Sequence, residues 1–146
     1  MELTEGSIEI EAPLEDVMEV IEDYESYPSW ADVKSAKVLR RGEGDRPVEV
    51  AFEIDLPVLG KASYVLSYVY APGDTGLSWT AREAHGPVRD IRGEYLLREL
   101  DEDRTKVTYR LGVELAPLIP GLLRTEGQKR VIENALEKLK RRVEMG

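Results

Sequence analysis

The chain has 146 residues, no cysteine, one histidine and a formal net charge of −9, a length that suits one domain able to bury a core and a pocket. The acidic balance argues against nucleic acid or an anionic membrane as the main partner, because both are held through clustered positive charge, and no DNA partner is expected. Without cysteine there is no disulfide framework, thiolate nucleophile or cysteine zinc site. The opening Met1-Glu2-Leu3-Thr4-Glu5 lacks a basic region followed by an apolar one, and no apolar run is long enough to cross a bilayer, so a soluble, cytoplasmic protein is expected. One asparagine and one glutamine against many Glu, Arg and Lys residues is the bias of proteins from hot environments.

No repeat or linker interrupts the chain, which predicts a single domain over 1–146. Ser7 to Glu11 alternates, with Ile8 and Ile10 on one side, and reads as a half-buried strand ended by Ala12-Pro13. Pro13 suits a first helical turn, and Val17, Met18, Val20 and Ile21 give the helix a buried stripe. Tyr24 to Trp30 reads as a second short helical turn interrupted by Pro28. Val33 to Arg41 alternates poorly and is taken as a strand. Val48 to Leu56 is the clearest strand, with Val48, Val50, Phe52, Ile54 and Leu56 sharing a face. Tyr64, Leu66, Tyr68 and Tyr70 share a face in the next, and Pro72 to Gly76 turns it. Leu77 and Trp79, then Ile91, Gly93, Tyr95 and Leu97, then Val107, Tyr109, Leu111, Val113 and Leu115 continue the series. Hairpin-length connections predict an antiparallel sheet with one wet face. After Pro117 and Pro120, the residues Val131, Ile132, Ala135, Leu136, Leu139 and Val143 recur at helical steps, and basic residues crowd the end of that helix. The pattern predicts an α+β domain in which a curved antiparallel sheet of about seven strands wraps a long C-terminal helix.

The order of elements, with Ile8-Glu9-Ile10-Glu11-Ala12-Pro13, Val17, Tyr27-Pro28-Ser29-Trp30, Ser78-Trp79, Gly93 and Thr105-Lys106-Val107-Thr108-Tyr109, resembles the START-like superfamily. Within it the chain looks most like the bacterial polyketide cyclase/dehydrase and coenzyme Q-binding branch. The resemblance covers nearly the whole chain and implies a helix-grip fold with a deep apolar cavity for lipids, quinones, polyketides or hormones. Some members catalyse and many only bind, so the resemblance does not transfer chemistry by itself.

An inward aromatic set, Phe52, Tyr64, Tyr68, Trp79, Tyr95 and Tyr109, comes from facing strands and is read as a cavity wall, joined by Ile54, Leu66 and Leu111. A tyrosine offers an apolar ring plus a hydroxyl that needs a partner when buried, which suits orienting a ligand with a polar head. From the helix, Leu123, Gly127 and Val131 are expected to face the sheet, with Gly127 leaving space above the aromatic set; close packing or a frayed first turn would explain that glycine equally well. Val58, Leu59, Leu118, Ile119 and Leu122 sit in unusually apolar connections and are expected to frame the mouth, where they meet a membrane transiently, a partner or each other.

His85 lies in turn chemistry and belongs to no metal cluster. Asp90, Arg92 and Glu94 read as a solvated cross-strand ladder, whereas a bulge near Gly86 could turn Arg82 inward. Trp30 is available to plug one end of the sheet. No Gly-rich phosphate cradle, Gly-x-Ser-x-Gly elbow or His-Glu-x-x-His pattern is present, so no catalytic residue and no metal or cofactor is assigned. The favoured expectation is a noncatalytic binder or carrier of a hydrophobic small molecule such as a lipid, isoprenoid quinone or polyketide-like compound. The alternatives are a cyclase or dehydratase using cavity tyrosine and arginine groups, and a protein-interaction module of the ribosome-associated toxin kind. Oligomeric state is left open.

Overall fold

The computed structural model describes the backbone of residues 2–56, 58–116 and 121–146, with the side chains of the last segment described from Gly127 onward. In chain order the elements are β1 (Thr4–Ile10), α1 (Leu14–Glu22), a 3-10 turn (Tyr24–Ser29), β2 (Ser35–Arg41), β3 (Pro47–Leu56), β4 (Gly60–Tyr70), β5 (Gly76–His85), β6 (Val88–Asp101), β7 (Arg104–Leu115) and α2 (Gly121–Met145). The seven strands form one open antiparallel sheet in the order β1-β7-β6-β5-β4-β3-β2. This is the sheet-and-helix arrangement expected from the pattern, and the helix-grip fold that the resemblance implies. The weakly alternating segment is a strand, beginning at Ser35 rather than Val33. Its alternation is poor because its pairing with β3 shifts register twice between Val38 and Arg41.

Pro13 precedes α1 in extended geometry, and Val17, Met18 and Ile21 bury its inner stripe. The stripe of α2 is Ile132, Leu136 and Leu139, all buried, with Val143 packed beside them. Burying each such side chain stabilises the fold by roughly 1.5–3 kcal/mol. Gly6 lets this helix approach β1: a methyl built there would stand 2.7 Å from Ile132 Cγ2. Polar contacts fix the C-terminal end of α2. Lys140 Nζ donates to Glu9 O at 2.8 Å, Glu144 Oε2 accepts from Glu11 N at 2.8 Å, and Lys138 pairs with Asp32. Further toward the N-terminus, Gln128 Oε1 accepts from Val113 N at 2.6 Å. β1 pairs with β7 only as far as Leu111, so the glutamine occupies an edge position that a strand would otherwise fill.

Candidate functional site

Strand register decides which side chains share the concave face. Phe52 pairs with Tyr64, Val50 with Leu66, and Tyr64 with Ala84. Tyr68 pairs with Trp79, Trp79 with Gly93, Gly93 with Leu111, and Tyr95 with Tyr109. Because side chains alternate along each strand, all of these point to one side. The rings form a wall in two groups, Phe52–Tyr64 with centroids 5.6 Å apart, and Tyr68–Trp79 at 6.0 Å, Trp79–Tyr95 at 5.5 Å, Trp79–Tyr109 at 5.7 Å and Tyr95–Tyr109 at 4.7 Å, bridged by Tyr24, 6.4 Å from Phe52 and 4.5 Å from Tyr68. Separations this small leave no room for a cation between rings, so the wall is a floor on which a flat group could rest rather than an ammonium cage.

Accessibility along the concave face is uneven. Phe52, Leu66, Tyr68, Trp79, Tyr95, Leu97, Val107 and Leu111 are buried, whereas Ile54, Leu56, Tyr64, Ala81, Ala84, Tyr109, Val113 and Leu115 keep part of their surface accessible. The accessible set gathers toward the end of the sheet where β3 meets β4 and where β7 finishes. Leu56, Val113 and Leu115 lie on faces the alternation displays without being assigned to the site from the sequence, whereas Ala81 and Ala84 are not named from it. The two alanines escape notice there because regular alternation cannot put positions 81 and 84 on one face. Their spacing of three inside a strand is the available signal of a bulge.

The tyrosines divide into two classes. Tyr27 Oη donates to Ile21 O at 2.5 Å, Tyr70 Oη donates to Pro47 O at 2.5 Å, and the Tyr24 and Tyr70 hydroxyls are 2.9 Å apart. With the Tyr70 proton committed to a carbonyl, Tyr24 must donate to Tyr70. Among the described residues, by contrast, the hydroxyls of Tyr64, Tyr68, Tyr95 and Tyr109 and the indole N–H of Trp79 have no hydrogen-bond partner. None of them is among the fully enclosed polar atoms lacking a partner. Burial pushes the four hydroxyls well above the usual tyrosine range, so at neutral pH they are protonated donors. From the Leu97–Val107 pair to the Leu56–Gly60 pair, the register of β3 to β7 places no charged side chain beside them.

Other sequence candidates fall elsewhere. Val131 is 46 % exposed, which corrects its expected place on the sheet-facing stripe. The stripe runs through Ile132, Leu136 and Leu139, and Val131 sits one residue, about 100°, away from it. Gly127 is likewise exposed, and a methyl built there would meet nothing within 4 Å, so no close contact accounts for it. At the β3–β4 tip Val58 is wholly exposed and Leu59 is 36 % exposed. Leu118 and Ile119, and the side chains of Leu122 and Leu123, lie outside the described residues.

Arg82 does not turn inward. It is the bulged residue itself, between Ala81, which pairs with Leu66, and Glu83, which pairs with Val65. On the convex face its Nη1 donates at 2.7 Å to both carboxylate oxygens of Glu49. His85 ends β5 opposite Ser63, also on the convex side. The expected charge ladder is there too, with Arg110 Nη1 donating to Glu94 at 2.8 Å and Arg92 within 4.0 Å of Asp90. Trp30 meets Tyr27 edge-on, with ring centroids 5.1 Å apart, and packs against the core. Two described clefts lie off the concave face. One of about 320 Å³ is lined mainly by acids around Arg46, among them Glu15, Glu19 and Glu22 of α1, and one of about 160 Å³ lies around Val69 and Leu96.

Among the described residues no group of histidines and acids could hold a metal ion, and no helix is long and apolar enough to cross a membrane. No curated protein matches the chain. Solved structures do. A START superfamily protein from Mycobacterium smegmatis superposes with a TM-score of 0.90 at 18% identity, over 99% of both chains. A protein from Thermus thermophilus gives 0.78 at 22% identity, over 98% of this chain and 97% of that one. The Zhui aromatase/cyclase from Streptomyces sp. R1128 gives 0.73 at 21% identity, over 97% of this chain and 94% of that one. These likenesses establish the fold, and nothing in them singles out coenzyme Q binding. The family described as "Polyketide cyclase / dehydrase and lipid transport" matches residues 1–144, and this chain belongs to it.

Proposed function

We propose that the concave face binds an uncharged, largely apolar small molecule that carries a few oxygen atoms, and that the chain acts as its binder or carrier. The observation that carries this reading is the set of donors on the apolar wall, four tyrosine hydroxyls and one indole N–H, that have no protein hydrogen-bond partner among the described residues and are not fully enclosed. A ligand oxygen received there replaces water as the acceptor inside an apolar site, for a net gain of about 0.5–1.5 kcal/mol per hydrogen bond. The aromatic floor supplies apolar contact at roughly 25 cal/mol per Å² removed from water. A free fatty acid or phospholipid headgroup would bring a charge, and the described concave residues offer it no counter-charge.

In this reading the ligand enters at the accessible end, past Leu56, Ala84 and Leu115, beside the exposed apolar tip at Val58 and Leu59. Contact of that tip with a membrane during exchange belongs to the same proposal, and liposome flotation tests it: no flotation removes that part. Catalysis of the cyclase or dehydratase kind is favoured only by the same four protonated hydroxyls, which could polarise a carbonyl. No described inward group could act as the accompanying base. Native mass spectrometry of the purified protein, followed by denaturing extraction, tests the main reading. A neutral oxygenated compound at near-stoichiometric level supports it, and a clean apo mass that takes up none of a panel of neutral quinones and phenols overturns it.

A further inference from the structure

Regular alternation along β5 would place Trp79, Ala81, Glu83 and His85 on the concave face. The observed pairing instead follows Leu66↔Ala81 with Val65↔Glu83, Tyr64↔Ala84 and Ser63↔His85. The extra residue, Arg82, thus reverses the facing of everything after it: Ala84 turns inward, and Glu83 and His85 turn outward. The bulge is held from outside. Glu49 is only 9 % exposed, and its carboxylate takes two bonds of 2.7 Å from Arg82 Nη1 and one of 3.2 Å from Arg40 Nε. Beyond the bulge, Gly86 lies so close to β4 that a methyl there would stand 2.5 Å from Lys61 O, so the turn packs tightly on β4 without itself selecting the register.

We propose that this bulge, clamped through Arg82 and Glu49, determines the specificity of the concave site by keeping a carboxylate and an imidazole out of it. The inference rests on the reading of the concave face as the binding site. If the bulge moved to the turn, Tyr64 would pair with Glu83, and Ala62 with His85. An anionic group would then stand on an aromatic wall that now carries no charge, and the site would favour cationic over neutral ligands. Arg82 is a positioning residue in this scheme. It touches no ligand, and its effect reaches the site through strand register.

Two variants separate register from mere charge. In Arg82→Ser the extra residue stays but the clamp is gone. Deleting Arg82 removes the extra residue, and simple alternation then keeps Ala81 and Ala84 inward and Glu83 outward. Nuclear Overhauser contacts of the Tyr64 ring read the register in ligand-free protein, and quenching by prodan, a neutral naphthalene ketone, and by naphthylmethylammonium, a cation, reads the selectivity. The parent and the deletion should show Tyr64 against Ala84 and prefer prodan. Arg82→Ser should show Tyr64 against Glu83 and shift the ratio of the two affinities toward the cation by about tenfold or more, a ratio of about 1.4 kcal/mol. An Arg82→Ser protein that keeps the Tyr64–Ala84 contact and the parent preference overturns the proposal. If the parent binds neither probe, the binding reading fails instead, and the Tyr64 contacts still decide whether Arg82 sets the register.

Discussion

Trp79 lies directly over Gly93: a methyl group built on Gly93 would stand 2.4 Å from the indole Cζ2 and 2.8 Å from the Arg110 carbonyl oxygen. The indole could shift, but the carbonyl belongs to the β6–β7 ladder and cannot. Gly93→Ala should therefore destabilise the fold by about 1–3 kcal/mol and displace the ring. Denaturant unfolding measures the first effect, and the tryptophan emission maximum reports the second. An unchanged emission with unchanged stability would mean that Trp79 does not depend on the bare backbone beneath it.

The two classes of tyrosine should respond oppositely to loss of the hydroxyl. Tyr70 donates to Pro47 and accepts from Tyr24, so Tyr70→Phe should cost about 1–2 kcal/mol of stability. Tyr95 and Tyr109 have no partner among the described residues, so Tyr95→Phe and Tyr109→Phe should leave stability unchanged or raise it. The same two changes should weaken binding of an oxygenated neutral ligand by about 5- to 10-fold. Thermal unfolding and calorimetric titration of the three variants provide the check.

Alkaline pH should unfold the protein steeply. Burial, the leading cause at each, raises the hydroxyls of Tyr64, Tyr68, Tyr95 and Tyr109 above their ordinary value, and Tyr70 is pushed up to about 12. A folded pKa above the unfolded one means that the folded state retains protons the unfolded chain releases. Stability is then full below about pH 10 and falls as pH rises beyond it. Tyrosinate absorbance should lag free tyrosine and then rise together with loss of circular dichroism. Independent, early ionisation of all the tyrosines would contradict the buried aromatic wall.

Val58 is a wholly exposed β-branched residue at φ +69°, a conformation that L residues other than Asn and Asp rarely adopt. Among the described residues, the other non-glycine ones with positive φ are Asp45 and Asp74, which tolerate it. Val58→Gly should stabilise the protein by about 1 kcal/mol by relieving this strain, and the melting temperature measures it. Unchanged membrane flotation and ligand uptake in the same variant would remove any role for the valine at the mouth.

The sequence by itself determined the element order, the faces of the regular strands and the aromatic wall, because each rests on a period of two or of 3.6 that a single chain displays. Tertiary structure alone decided where that periodicity breaks or drifts. The bulged Arg82 meets a carboxylate from β3, 33 residues away in the chain, and the bulge turns Ala84 inward and Glu83 and His85 outward. On α2, a helical wheel allows neighbouring stripes about 100° apart. The choice of Ile132 over Val131 was made by Gly6 on β1, whose missing side chain receives that isoleucine. The hydroxyls without partners were equally invisible in one dimension. Tyr70 and Tyr95 share a residue type and a place on the apolar side of an alternating strand, and only the distance to a carbonyl on another strand separates the structural tyrosine from the one left free for a ligand.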